Sequence, residues 1–261
     1  MNKKIIFFDV DGTLFSADIG YVTEAVKDAV KKTREEGHLC FIASGRPYAF
    51  ISDNIKEIGF DGYVLANGAN IKYQDKDLET RFLKYEDVKE LVEKLNMKNI
   101  EYVLSSTDYS YIDKKQENLL NLFKSVTVDM EKLISDFDED EIMHKTTKIE
   151  VWAKDAEELE YAKSLYGKFM YEIHPDNHSM EVYAKNVSKA TGILDVLNLL
   201  HIDVQDSYCF GDGPNDVEMF ETVGHPIAMG NALEIIKERA EDVCLSVLED
   251  GVAHKLNELF F

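Results

Sequence analysis

The chain has 261 residues, 45% of them hydrophobic, and its 29 Lys and Arg against 50 Asp and Glu give a formal net charge of −21. That length allows one large domain or two smaller ones with an ample apolar core. The acidic balance argues against a nucleic-acid or anionic-membrane surface, and no apolar stretch approaches membrane-spanning length.

Taken in chain order, the apolar run Ile5–Phe8 predicts a buried strand. An amphipathic helix over Tyr21–Glu36 and a strand over Leu39–Ala43 complete a βαβ unit, and a helix Pro47–Ile58 and strand Tyr63–Ala66 extend it. Strands alternating with helices imply a parallel sheet covered on both faces. From Leu83 to Ala184 the pattern changes. It reads helix Tyr85–Leu95, strands Tyr102–Ser105 and Tyr109–Ile112, helix Lys115–Phe123, strand Lys148–Ala153, helix Ala156–Phe169, then strands Met170–His174 and Ser179–Tyr183. That is an α+β unit, expected as an antiparallel sheet with helices on one face, and the acidic run Asp136–Glu141 reads as a solvated loop. Alternation resumes with helix Lys189–Leu200, strand Tyr208–Phe210, helix Val217–Glu221, strand Pro226–Met229, helix Ala232–Ala240 and strand Val243–Leu245. The fold class is therefore α/β: a Rossmann-like parallel-sheet core over residues 1–82 and 185–261, with an inserted α+β domain over 83–184 that is large enough to fold as a unit. Hinges are expected near Tyr73–Phe82 and Ala184–Ser188.

Cys40, Cys209 and Cys244 each lie in an apolar, strand-like run and read as buried, reduced thiols. The seven histidines show no zinc-ligand spacing. The short apolar run after Lys3-Lys4 leads straight into the first motif and is too short for a signal peptide, so the cytoplasm is the expected location.

That first motif is Asp9-Val10-Asp11-Gly12-Thr13, two carboxylates on a tight turn at a strand's C-terminal end. Ligands bind at that end of a parallel α/β sheet. Two acids one residue apart can divide nucleophilic attack and proton transfer. The second is Gly211-Asp212-Gly213-Pro214-Asn215-Asp216, again after a short apolar strand. The two acidic loops meet only if their strands are neighbours, and a hard divalent cation would relieve the repulsion of four carboxylates; Mg²⁺ is the usual choice beside phosphate. Ser44-Gly45-Arg46 ends a third strand and offers a hydroxyl and backbone N–H groups, with a helix expected near Pro47, as an anion-binding corner. Lys189, at a helix start, can neutralise a phosphate oxygen or steady an attacking carboxylate. Arg46 is a further cation for an anionic substrate. His174, His178 and Trp152 read as packed or surface side chains.

These segments, together with Ala66-Asn67-Gly68-Ala69 and Ala228-Met229-Gly230-Asn231, resemble the haloacid dehalogenase superfamily of aspartyl phosphatases, and within it the Cof-type branch with a large α/β cap. The resemblance runs from Asp9 to Asn231. It implies that Asp9 attacks phosphorus to form an aspartyl-phosphate and that Asp11 protonates the leaving alcohol, then activates water. It implies Mg²⁺ held by Asp9, the carbonyl of Asp11 and Asp212, with Asp216 supporting it through water. Ser44, Gly45, Lys189 and Asn215 would hold the phosphoryl oxygens. Asp at position 11 favours a phosphatase or a phosphomutase over the dehalogenases, which lack an acid there, and over the transport ATPases, which carry Thr. The insert would act as the cap that shields the intermediate and recognises the leaving group, with recognition expected around Ser105–Tyr111 or His174–Glu181.

The expected activity is a Mg²⁺-dependent phosphatase acting on a small phosphorylated metabolite, a sugar phosphate or a nucleotide-like cofactor phosphate. Its rivals are a phosphomutase on sugar phosphates and a non-catalytic phosphometabolite sensor, whose signature would be loss of Asp9, Asp11 or Lys189; all three are present. No nucleic-acid or membrane partner is expected, and the oligomeric state leans to a monomer.

Overall fold

A computed structural model describes residues 3–125, 129–173 and 178–261. In chain order the first segment holds β1 (Ile5–Phe8), α1 (Glu24–Glu35), β2 (Leu39–Ala43), α2 (Asp53–Lys56), β3 (Gly62–Leu65), β4 (Asn70–Tyr73) and β5 (Lys76–Thr80). The middle segment holds α3 (Tyr85–Lys98), β6 (Glu101–Ser105), β7 (Ser110–Tyr111), α4 (Glu117–Ser125), β8 (Leu133–Ile134), α5 (Glu139–Met143), β9 (Lys148–Trp152), α6 (Ala156–Leu165), β10 (Phe169–Ile173) and β11 (Ser179–Ala184). The last holds α7 (Lys189–Leu200), β12 (Ser207–Gly211), α8 (Val217–Phe220), β13 (His225–Ala228), α9 (Glu234–Lys237), β14 (Asp242–Val243) and α10 (Gly251–Phe260). The chain divides into two compact units. One comprises Met1–Gly45, Asp53–Leu78 and Ser188–Phe261, the other Arg46–Ser52 and Glu79–Val187. Among the described residues, no helix is long and apolar enough to cross a membrane.

The first unit is built on a sheet of order β14-β13-β12-β1-β2-β3-β4-β5. Strands β14 to β3 run parallel, and β1 sits at the centre with β12 on one side and β2 on the other. All four β1 side chains are fully buried, as an all-apolar strand covered on both faces requires. Sequence reasoning expects a wholly parallel sheet, but β4 runs antiparallel to β3. The link between them, Ala66–Ala69, is too short for the crossover that a parallel neighbour needs. The continuous helix expected over Pro47–Ile58 is also absent. A 3₁₀ turn, Tyr48–Phe50, ends where Ile51 turns extended (φ −84°, ψ 113°), and α2 begins only at Asp53. The Arg46 Nη1 donates to the Phe50 carbonyl at 2.9 Å, filling an acceptor that a continuing helix would use. The C-terminal helix α10 was not foreseen. Its Phe260 ring lies 4.8 Å from His38 and 5.5 Å from Tyr208. Cys40 and Cys209 are buried, and burial pushes both thiols up. Cys244 is only partly buried and lies past the end of β14, because that strand stops at Val243.

The second unit has its own sheet, ordered β10-β11-β9-β6-β7-β8 and antiparallel except for β7 against β8. Helices cover both of its faces, not one. Tyr102 and Leu104 of β6 pack with Val88, Leu95, Ile142 and Leu159 from α3, α5 and α6, whereas Val103 packs with Leu119 and Phe123 of α4. Alternate residues of a strand point to opposite faces, so the three successive apolar residues Tyr102–Leu104 need cover on both. The acidic run is not wholly loop. Asp138 caps α5 by accepting from the Glu141 N–H, and Glu139, Asp140 and Glu141 fill the first turn, where the helix dipole favours anions.

Candidate active site

The first acidic loop begins where β1 ends. The parallel ladder runs one bond further, from the Asp9 N–H to the Phe210 carbonyl at 3.0 Å. The backbone then coils tightly: the N–H groups of Thr13, Leu14 and Phe15 all donate to the Val10 carbonyl, at 3.3, 3.0 and 2.8 Å. Gly12 takes φ +81°, and a Cβ there would lie 2.2 Å from an Asp212 carboxylate oxygen, so only glycine permits this approach of the two loops. Because Phe8 pairs with Phe210, the loops leave neighbouring strands at the same level. Thr13 Oγ1 donates to Asp212 Oδ1 at 3.0 Å and ties them together.

The second loop is held by its own acid. Asp216 Oδ2 accepts from the N–H groups of Asp212 and Gly213 at 2.9 and 3.0 Å. Lys189 enters from the first turn of α7, whose start is fixed by a capping box between Ser188 and Thr191. Its ammonium donates to Asp9 Oδ1 at 2.6 Å and to Asp216 Oδ1 at 2.7 Å. All three side chains are buried.

Burial pushes the Asp9 carboxyl well above the ordinary range; Lys189 pulls it back, and the Asp216 and Asp11 carboxylates add to the rise. Burial works against the charge of Lys189, but the Asp216 and Asp9 carboxylates outweigh it and its pKa rises. Asp212 is pushed up to about 6 by burial and by Asp216, against the Thr13 hydroxyl. Single ligand oxygens of Asp9, Asp212 and Asp216 lie within 4.8 Å of one another. One ammonium against three carboxylates leaves negative charge uncompensated in a dry setting. An all-oxygen donor set suits a hard divalent cation such as Mg²⁺.

Asp9, Lys189, Asp212 and Asp216 thus come together as a bonded cluster. Asp11 is exposed on the first loop, where its carboxylate is felt electrostatically by Asp9 and Asp212. Ser44 and Gly45 are buried at the end of the adjacent strand β2, and Asn215 sits half-buried in the 3₁₀ turn Pro214–Asp216. No α-helix begins at Pro47 to complete the anion corner, and Arg46 falls with the second unit. Within that unit, His178 stacks on Trp152 and its Nδ1 lies 2.8 Å from the Ala153 carbonyl oxygen, while the Ser105 and Ser110 hydroxyls bond each other at 2.8 Å. His174 lies outside the described residues. Asn231 has a part that sequence reasoning did not give it. Its side chain donates to the Gly12 carbonyl at 2.8 Å and accepts from the Val247 N–H at 2.8 Å, joining three loops. The only hint was its place in Gly230-Asn231 just after an apolar strand.

A family model described as haloacid dehalogenase-like hydrolase matches residues 6–256. The protein YkrA of Bacillus subtilis (strain 168) is 30% identical over 99% of this chain and 98% of its own. The 5-amino-6-(5-phospho-D-ribitylamino)uracil phosphatase YitU of the same organism is 27% identical over 98% and 97%. Among solved structures, a hypothetical protein of Geobacillus kaustophilus HTA426 superposes with a TM-score of 0.86 at 28% identity, covering 99% of both chains. The subclass IIB sugar phosphatase BT4131 does so at 0.82 and 24% identity, covering 98% of both, and so shares the fold.

Proposed function

The chain belongs to the haloacid dehalogenase-like hydrolases and is a phosphatase, and from that premise we propose that it hydrolyses a small phosphorylated metabolite with Mg²⁺ bound, through an aspartyl-phosphate on Asp9. The observation that carries this reading is the buried Asp9 carboxylate, held 2.6 Å from the Lys189 ammonium with Asp212 and Asp216 beside it.

Asp9, Asp212 and the Asp11 carbonyl would hold the cation, and Asp216 would support it through water. When bound, Mg²⁺ supplies positive charge against the phosphoryl oxygens. Asp9 must act ionised although burial favours its protonated form. Lys189 answers that conflict by lowering the proton affinity of Asp9 and fixing the direction of its carboxylate. One Asp9 oxygen attacks phosphorus and forms the acyl-phosphate bond as the ester P–O bond breaks, and Asp11 gives its proton to the departing alkoxide. Asp11, now ionised, takes a proton from water; the hydroxide oxygen bonds to phosphorus, the Asp9–phosphorus bond breaks, and inorganic phosphate leaves with Asp9 restored. Ser44, Gly45 and Asn215 would orient the phosphoryl oxygens, so that catalysis rests on positioning and charge.

Relatives support two substrate classes, sugar phosphates and 5-amino-6-(5-phospho-D-ribitylamino)uracil. Phosphate release should be measured across a panel containing both, with Mg²⁺, with chelator, and with Asp9→Asn. Mg²⁺-dependent release abolished in Asp9→Asn is expected. Release by Asp9→Asn at the wild-type rate would overturn the covalent route.

A further inference from the structure

The link between β3 and β4 holds three successive residues in the left-handed region: Ala66 at φ 49°, Asn67 at 55° and Gly68 at 96°. Two of them carry a Cβ and meet the steric cost that L-residues have there. All three are buried. Strain of this kind persists only where the surroundings enforce it, and it gathers at functional sites.

The surroundings here are the two segments that flank the cluster. On one side the Asn67 N–H donates to the Ser44 carbonyl at 3.2 Å, and the Ser44 N–H donates to the Val64 carbonyl at 2.9 Å. On the other side the turn abuts the start of α7. A Cβ built on Gly68 would stand 2.2 Å from the Ser188 carbonyl oxygen. One built on Gly192 would stand 2.5 Å from Val64 Cγ1 and 3.0 Å from Gly68 Cα. Glycine inside a helix ordinarily costs stability relative to alanine. Gly192 is therefore explained by contact, not by helix formation. Ser188 immediately precedes Lys189, so the depth at which the turn stops α7 sets where the lysine backbone begins.

We propose that the Ala66–Gly68 turn is a spacer fixing the separation of the Ser44 corner from Lys189, and that Gly68 and Gly192 are positioning residues for catalysis because they permit the closest approach. The functional part of this inference rests on the phosphatase reading above. A side chain at Gly192 would stand 2.5 Å from Val64 Cγ1, where ordinary contact begins near 3.4 Å, so α7 and the turn must part by about an ångström, and misplacement on that scale can cost about 100-fold in rate.

The test is Gly192→Ala, Val64→Ala and the double variant, assayed with a chromogenic aryl phosphate and by crystallography. Gly192→Ala should remain folded, with kcat lowered about 10-fold or more and KM within about threefold. Its Lys189 Nζ should lie beyond hydrogen-bonding distance of Asp9 Oδ1. Val64→Ala alone should turn over near the wild-type rate, and the double variant should recover part of the lost kcat, because the 2.5 Å contact is gone while the 3.0 Å contact remains. A merely structural role predicts a loss that tracks the folded fraction and no recovery in the double variant, and that result overturns the proposal. Should Gly192→Ala not fold, the double variant carries the test: it must fold and still fall short of Val64→Ala. A wild type without phosphatase activity defeats the functional reading alone. The crystal structure then decides the spacer, which an unmoved Lys189 would refute.

Discussion

Lys189 is 1% exposed, yet it keeps its charge between two carboxylates. Removing the ammonium would leave Asp9 and Asp216 as buried like charges with no cation between them, and breaking a buried ion pair on one side is strongly unfavourable. Lys189→Ala is expected to lower kcat by about 10²–10³-fold, the scale seen when one preorganised charge-stabilising group is lost. Steady-state kinetics on the best panel substrate would check this; unchanged kcat and KM would remove Lys189 from the site. Asp212 gives the pH dependence. Its carboxyl is pushed up to about 6. In metal-free protein that raised affinity for a proton contributes stability below the ordinary carboxylate range, and the contribution is lost as pH rises through about 6. A cation needs the ionised form. The rise in Tm on adding Mg²⁺ should therefore be largest near pH 8 and fade below about pH 6, and thermal scans at fixed Mg²⁺ would show it. An equal rise at both ends would argue against Asp212 as a ligand. At this scale the sequence was informative wherever acids and glycine stood together after an apolar run. It marked Asn231 only as the end of the Ala228–Asn231 segment and gave it no role, because its bonds to Gly12 and Val247 join residues far apart in the chain.

Elements were legible in proportion to how locally their cause is written. β1 and β2 have the predicted bounds because four or five successive apolar residues, flanked by polar ones, are too short for a buried helix and rich in Ile and Phe. The helix expected after Pro47 failed because its end is set by Arg46 reaching the Phe50 carbonyl, a tertiary choice that periodicity does not contain. The antiparallel β4 was missed because its direction depends on the left-handed Ala66–Gly68 turn, and two of those residues are not the glycines that announce such a conformation. β1 also carries the expected stability of its sheet. Phe8 is fully buried and stacks on Phe210 at 5.3 Å. Phe8→Ala should cost about 3–5 kcal/mol in urea unfolding, as large-to-small core changes do. At the start of α7, Ser188→Ala removes the cap acceptor and should cost about 1 kcal/mol, with a drop in kcat because Lys189 follows at once. If stability fell and kcat did not, the cap would be structural only.

The whole molecule carries a net charge of −21. A phosphate ester approaches it against that field and is drawn in only by local cations. Screening should help: at roughly 0.15 M salt the Debye length is about 8 Å, against about 30 Å at 0.01 M. Raising ionic strength across that range with a non-coordinating salt should increase kcat/KM through KM, and stopped-time phosphate assays would read it. A fall would mean that the field near the site is positive despite the global charge.

The pairing of β1 with β12 has a consequence for how the protein comes into being. Phe8 and Phe210 are register partners, yet the second is made some two hundred residues after the first. At about 5–20 residues per second, the ribosome holds a nascent chain whose central strand lacks one neighbour for about ten seconds or more. Ile5–Phe8, apolar at every position, is during that interval an open edge available to chaperones or to other nascent chains. Enzymatic competence therefore arrives abruptly, when the strand leading to Asp212 docks beside the one leading to Asp9.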